Sequence, residues 1–98
     1  MSKNPESVLV DKIIKALREQ DKSYWVKIHG GMYQAVGLPD IVGCYNGRFV
    51  AIEVKIPGKE KTLTERQKLI LKRIKKAGGY AIMATTKEEA LDLCTTIE

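Results

Sequence analysis

The sequence predicts a mixed α/β domain, and three observations carry that reading. Apolar residues recur at helical spacing near the N-terminus. An Asn-Gly pair separates two short apolar runs, and two helix-start signatures bracket a further apolar run. Ninety-eight residues support one domain, 1–98, with one modest core, so any functional site must be built from the fold's own elements.

Asn4 caps and Pro5 opens the first expected helix, about Pro5 to Glu19, whose apolar stripe is Val10, Ile13, Ile14 and Leu17 with Leu9 on its flank. Tyr24 to Ile28 alternates and is rich in aromatic and β-branched residues, as a strand requires. The stretch from Gly30 to Leu38 has no clear period and reads as a loop. Ile41–Tyr45, Asn46-Gly47 and Arg48–Lys55 then form a hairpin, because both residues of a two-residue loop need positive φ. Thr64-Glu65-Arg66-Gln67 is a capping box that opens a helix through Leu71, Ile74 and Ala77, ended by Gly78-Gly79. Tyr80 to Ala84 is a short strand, and Thr86-Lys87-Glu88-Glu89 opens a last helix to about Leu93 or Cys94. The expected order is α-β-β-β-α-β-α, a mixed sheet flanked by helices.

The net charge is +5, and its distribution is more informative than its size. Between Lys55 and Lys76 nine basic residues stand against Glu60 and Glu65, a local +7 that leaves −2 for the rest of the chain. Such a window suits an anionic partner. Cys44 and Cys94 lack metal-binding spacing and are expected to be buried free thiols in a reducing compartment. No signal-peptide pattern or membrane-length apolar run is present, so a soluble intracellular protein with no membrane partner is expected.

Counting outward from Asn46-Gly47 pairs Tyr45 with Arg48, Cys44 with Phe49, Gly43 with Val50, Val42 with Ala51 and Ile41 with Ile52. The next pair is Asp40 with Glu53, on one face of the sheet, and alternation places Lys55 on that face too. Two facing carboxylates repel unless something positive lies between them, and an unpaired charge in the apolar run around Glu53 is costly. A divalent cation resolves both problems, and oxygen ligands suit Mg²⁺ or Mn²⁺. A structural ion-pair cluster is the bland alternative. Val42, Cys44, Phe49 and Ala51 share the face and are apolar, which argues against an open solvated face over its full length.

Pro39-Asp40 with Glu53-Val54-Lys55 resembles the PD-(D/E)XK nuclease superfamily. More narrowly, Gly37-Leu38-Pro39-Asp40-Ile41, Phe49 to Lys55, Leu63-Thr64-Glu65-Arg66-Gln67 and Gly78-Gly79-Tyr80-Ala81 resemble a stand-alone VRR-NUC domain of phage or bacterial type. The resemblance implies a restriction-endonuclease-like αβββαβ core followed by a short C-terminal helix. It implies Asp40 and Glu53 as Mg²⁺ or Mn²⁺ ligands, with the Val54 backbone carbonyl as a further one. Lys55 would be the motif lysine near the attacking water, acting either as general base or electrostatically. Glu6 would help order the metal or its water, and Gln67 would support the site or contact phosphate. Family members of this kind are similar to Holliday-junction resolvases and tend to form homodimers.

The expected activity is therefore metal-dependent, structure-selective DNA endonucleolysis, with branched or junction DNA as substrate. The competing reading is a non-catalytic nucleic-acid-binding protein that uses the basic 55–76 segment. Lys68, Lys72, Arg73, Lys75 and Lys76 are expected backbone contacts, joined by Lys59 and Lys61 from the linker, by Lys27 and by Tyr33. His29 is a lone histidine beside a Gly-Gly loop and makes no metal motif. Trp25 and Tyr24 read as core or dimer contacts rather than stacking platforms.

Overall fold

A computed structural model describes residues 4–29 and 36–98. Helix α1 (Pro5–Arg18) leads into strand β1 (Ser23–Lys27), hairpin strands β2 (Ile41–Tyr45) and β3 (Arg48–Val54), and a 3₁₀ turn at Glu60–Thr62. Helix α2 (Glu65–Lys76), strand β4 (Tyr80–Ala84) and helix α3 (Lys87–Thr95) follow. The sheet order is β1-β2-β3-β4, antiparallel between β1 and β2 and between β2 and β3, and parallel between β3 and β4. The expected α/β class and mixed sheet are thus present, and the only added element is the 3₁₀ turn within the 58–62 linker.

Local chemistry accounts for the boundaries. Asn4 accepts a hydrogen bond from the Ser7 backbone N–H at the start of α1. The Thr64 box is complete, with the Thr64 hydroxyl accepting from Gln67 N and the Gln67 side-chain oxygen accepting from Thr64 N. At α3 the return leg shifts by one residue: Glu89 accepts from the Thr85 backbone N–H and both threonine hydroxyls, which hold its carboxyl below the ordinary value. Asn46 and Gly47 take φ of 50° and 82°, so the hairpin register from Ile41↔Ile52 to Tyr45↔Arg48 is the one obtained by counting.

The sheet separates two apolar layers. On one side α1 and α3 bury Ile13, Leu17, Trp25, Ile41, Val50, Ile52, Val54 and Cys94; on the other, α2 covers Ala51 and Ala81 through Leu71. Gly43 makes the first layer possible. A Cβ there would lie 2.6 Å from Trp25 Cε3, so the indole occupies the space a side chain would need. The second layer is incomplete. Helix α2 packs over β3 and β4, while Tyr24 is 71% exposed and Phe49 48% exposed on the same side of the sheet. Cys44 lies between them and is exposed, which corrects the expectation that both thiols are buried; Cys94 is buried, and both are free. Among the described residues, no helix is long and apolar enough to cross a membrane.

Candidate metal centre and nucleic-acid interface

Glu53 is the last residue but one of β3, and the sheet and α2 leave it 3% exposed. Its Oε2 accepts a hydrogen bond from Gln67 Nε2 at 3.1 Å and lies 3.7 Å from Lys55 Nζ. Its Oε1 is buried and has no hydrogen-bond partner. Burial, then the Asp40 charge, push the Glu53 carboxyl from 4.5 up to about 8; Lys55 opposes this, while a side-chain hydrogen bond to Asp40 and the Glu6 charge add to it. The ionised form of Glu53 therefore has one oxygen supported and the other without a donor, while the protonated form shares its proton with Asp40.

Asp40 follows the buried Pro39 and immediately precedes β2. Its carbonyl accepts the Ile28 N–H at 2.8 Å, and its Oδ2 accepts the Val54 N–H at 2.8 Å. These two bonds pin Asp40 between the ends of β1 and β3, one step beyond the last hairpin pair. The second has a further consequence. In a strand, the N–H and C=O of one residue point to the same side, so the Val54 carbonyl also faces the Asp40 side, where β2 has already ended. Lys55 N–H turns the other way and donates to Ala84 O at 3.0 Å, which extends the β3–β4 pairing and holds the lysine beside Glu53.

The donor set fits a hard divalent cation. Asp40, Glu53 and the Val54 carbonyl lie at the same end of the sheet and offer oxygen donors alone. A cation there would satisfy the buried oxygen and offset the repulsion that raises the Glu53 pKa. Glu6, half-buried in the first turn of α1, is close enough to contribute to that repulsion. It lines a cavity of about 230 Å³ with Lys55, Ile56, Lys59 and Thr62. Among the described residues no three His, Cys, Asp or Glu side chains form a ready-made metal cluster. The arrangement is two carboxylates and a carbonyl, with Glu6 set apart across the cavity.

Gln67 connects this site to α2. Its oxygen is occupied by Thr64 N–H and its nitrogen by Glu53, so the capping box also orients the amide. Its neighbour Arg66 donates from Nε to Val36 O at 3.3 Å. Gly37, at φ +87°, fits beneath the Arg66 stem, because a Cβ there would meet Arg66 Cγ at 2.6 Å. The first turn of α2 thus holds both arms of the site, Glu53 directly and Asp40 through the 36–39 segment. Arg66 stood in the basic window but was not singled out by sequence; its signal, adjacency to Gln67, is legible only once the helix is docked.

The basic residues do not form one surface. Lys68, Lys72 and Lys75 line a cavity with Leu63, Leu71, Ile82 and Met83 on the β4 side of α2. Arg66, against Gly37, lies on the opposite flank, and residue 73 follows it about two turns on, exposed at the outer edge of the helix. Lys76 is exposed on the outer side, and Lys59 and Lys61 are exposed in the linker that follows β3. Lys27, expected as a DNA-backbone contact, lies on the α1 side of the sheet, away from the carboxylate face, and pairs with Asp11 at 3.0 Å. His29 is exposed, and Tyr33 lies outside the described residues. No protein-family model, curated protein or solved structure matches the chain.

Proposed function

We propose that the chain is a Mg²⁺- or Mn²⁺-dependent nuclease that hydrolyses phosphodiester bonds in DNA, a VRR-NUC-like enzyme acting on branched substrates as a homodimer. One observation carries the reading: a buried Glu53 with one oxygen orphaned beside Asp40, flanked by Lys55 and Gln67. Once Glu53 is ionised that oxygen has no donor among the described residues, a gap that a cation would fill and that a simple binding module does not need.

Asp40, Glu53 and the Val54 carbonyl would hold the cation, which supplies a Lewis acid for the phosphate and lowers the pKa of a bound water. Gln67 keeps one Glu53 oxygen engaged and would leave the other available to the cation. Lys55, with its stem buried and its ammonium beside Glu53, is placed to stabilise the negative charge that builds on the phosphate oxygens. Glu6, which lines the adjoining cavity with Lys55, would help order water there. Lys59 and Lys61 add positive potential at the entrance.

The test is a cleavage panel of three-way, four-way, flap, nicked and linear DNA in Mg²⁺ and in Mn²⁺. Cleavage is expected with either metal, abolished by EDTA, and absent in Glu53→Gln, which should still bind junction DNA. Binding by the wild-type protein without cleavage of any substrate in either metal would replace the nuclease reading with that of a binding protein.

A further inference from the structure

The uncovered half of the sheet lies on the same face as the carboxylates. From Asp40 and Glu53 that face runs through Val42 and Val26 to a row across three strands: Tyr24 opposite Cys44 opposite Phe49. The row spans about 10 Å across the strands and begins about 13 Å from Asp40 along β2. Tyr24 is 71% exposed and Phe49 48% exposed, an unusual amount of aromatic surface for so short a chain. The wall of this trough is α2. Its sheet-facing stripe is Gln67, Leu71 and Ile74; Arg66, lying against Gly37, marks the flank toward the trough, with Ile70 beside it and Arg73 on the outer edge two turns on, and the Lys68–Lys72–Lys75 flank faces β4. The Gly79 turn after α2 lies against the Phe49 ring, so the far end of the wall meets the aromatic row.

The geometry points to this trough as the seat of an unpaired nucleic-acid strand that leads into the metal centre, with bases stacking on Tyr24 and Phe49 and phosphates meeting Arg66 and Arg73. The proposal rests on the nuclease reading for its direction, because the carboxylates stand at one end of this face and the aromatic row at the other. Aromatic side chains on adjacent strands of an open sheet accept any base through its π-face, and arginine pairs with phosphate in a planar, two-pronged fashion. A duplex keeps its bases stacked inside and gains nothing from the rings. A second copy of the chain is the competing occupant, but pressing two such faces together would bring the same basic rims toward each other.

Binding is measured by fluorescence anisotropy in EDTA, so that no cleavage intervenes, with a labelled oligothymidine and a duplex of equal length. Tyr24→Ala is expected to weaken single-strand binding roughly fivefold or more, with duplex binding unchanged and Tyr24→Phe restoring it. Arg73→Ala should lower the slope of log affinity against log salt by about 0.7 for the single strand. Circular dichroism and thermal melts confirm that each variant is folded, which the exposure of Tyr24 makes straightforward. Equal loss on single strand and duplex, or no loss at all, would overturn the proposal. So would sedimentation showing a dimer that Tyr24→Ala dissociates, since that assigns the face to a second copy. Loss of cleavage in the panel above, with the Tyr24 effect intact, would remove the nuclease reading and leave a single-strand binder.

Discussion

Gln67 shows how one side chain serves both folding and site geometry. Its oxygen closes the capping box and its nitrogen holds Glu53, so the amide cannot flip without losing both bonds. Gln67→Glu preserves the acceptor for Thr64 but sets a third carboxylate against Glu53. The Glu53 carboxyl should then hold its proton to still higher pH, and metal-dependent cleavage should need more cation. A titration of activity against Mg²⁺ at pH 7 and pH 8.5 checks this: the variant's half-saturating concentration is expected to rise at least tenfold at pH 7 and to recover partly at the higher pH. An unchanged metal requirement would mean that Gln67 acts only as a cap. That Gln67 caps the helix was readable from Thr64-Glu65-Arg66-Gln67. That its other end reaches Glu53 was not, because a helix's docking angle depends on Leu71 and Ile74 meeting Ala51 and Ala81, which no local pattern encodes.

At the scale of elements, the hairpin was the most legible part of the chain. Asn46-Gly47 sets the turn type, the turn type sets the register, and the register places Asp40 and Glu53 at the same end of the same face. Gly43 is the exception inside that hairpin, since its role comes from β1 and not from the turn. Gly43→Ala should destabilise the protein by about 1–3 kcal/mol, as overpacking against Trp25 and the Tyr24 backbone requires. Urea unfolding followed by the single tryptophan measures it; a variant as stable as wild type would show that the indole has room to shift. The sequence pattern also left open which side of the sheet Lys27 takes. Its strand position was read correctly to within a residue, but which face meets α1 is set by Trp25 burying opposite Gly43, and Lys27 follows Trp25 onto that side toward Asp11.

For the molecule as a whole, the candidate metal site carries a cost that pH should reveal. Below about pH 4.5 Glu53 is protonated whether the chain is folded or not. Between about 4.5 and about 8 the unfolded chain releases that proton while the folded protein retains it, so stability falls as pH rises through this window and levels above it. Thermal melts in EDTA at pH 5, 6.5 and 8 should show the decline, Glu53→Gln should flatten it, and Mg²⁺ or Mn²⁺ should raise the wild-type midpoint most at pH 8. Parallel declines in wild type and variant would place the cost elsewhere. The opposed carboxylates, the lysine beside them and the local basic window could all be read along the chain, because a turn of known type and a strand period of two suffice to calculate them. The orphaned Glu53 oxygen, the clamp formed by Arg66 and Gln67, the division of the basic helix into two flanks and the uncovered aromatic row could not. Each depends on where α2 comes to rest on the sheet, and that position is set by the burial of apolar surface between residues distant in sequence.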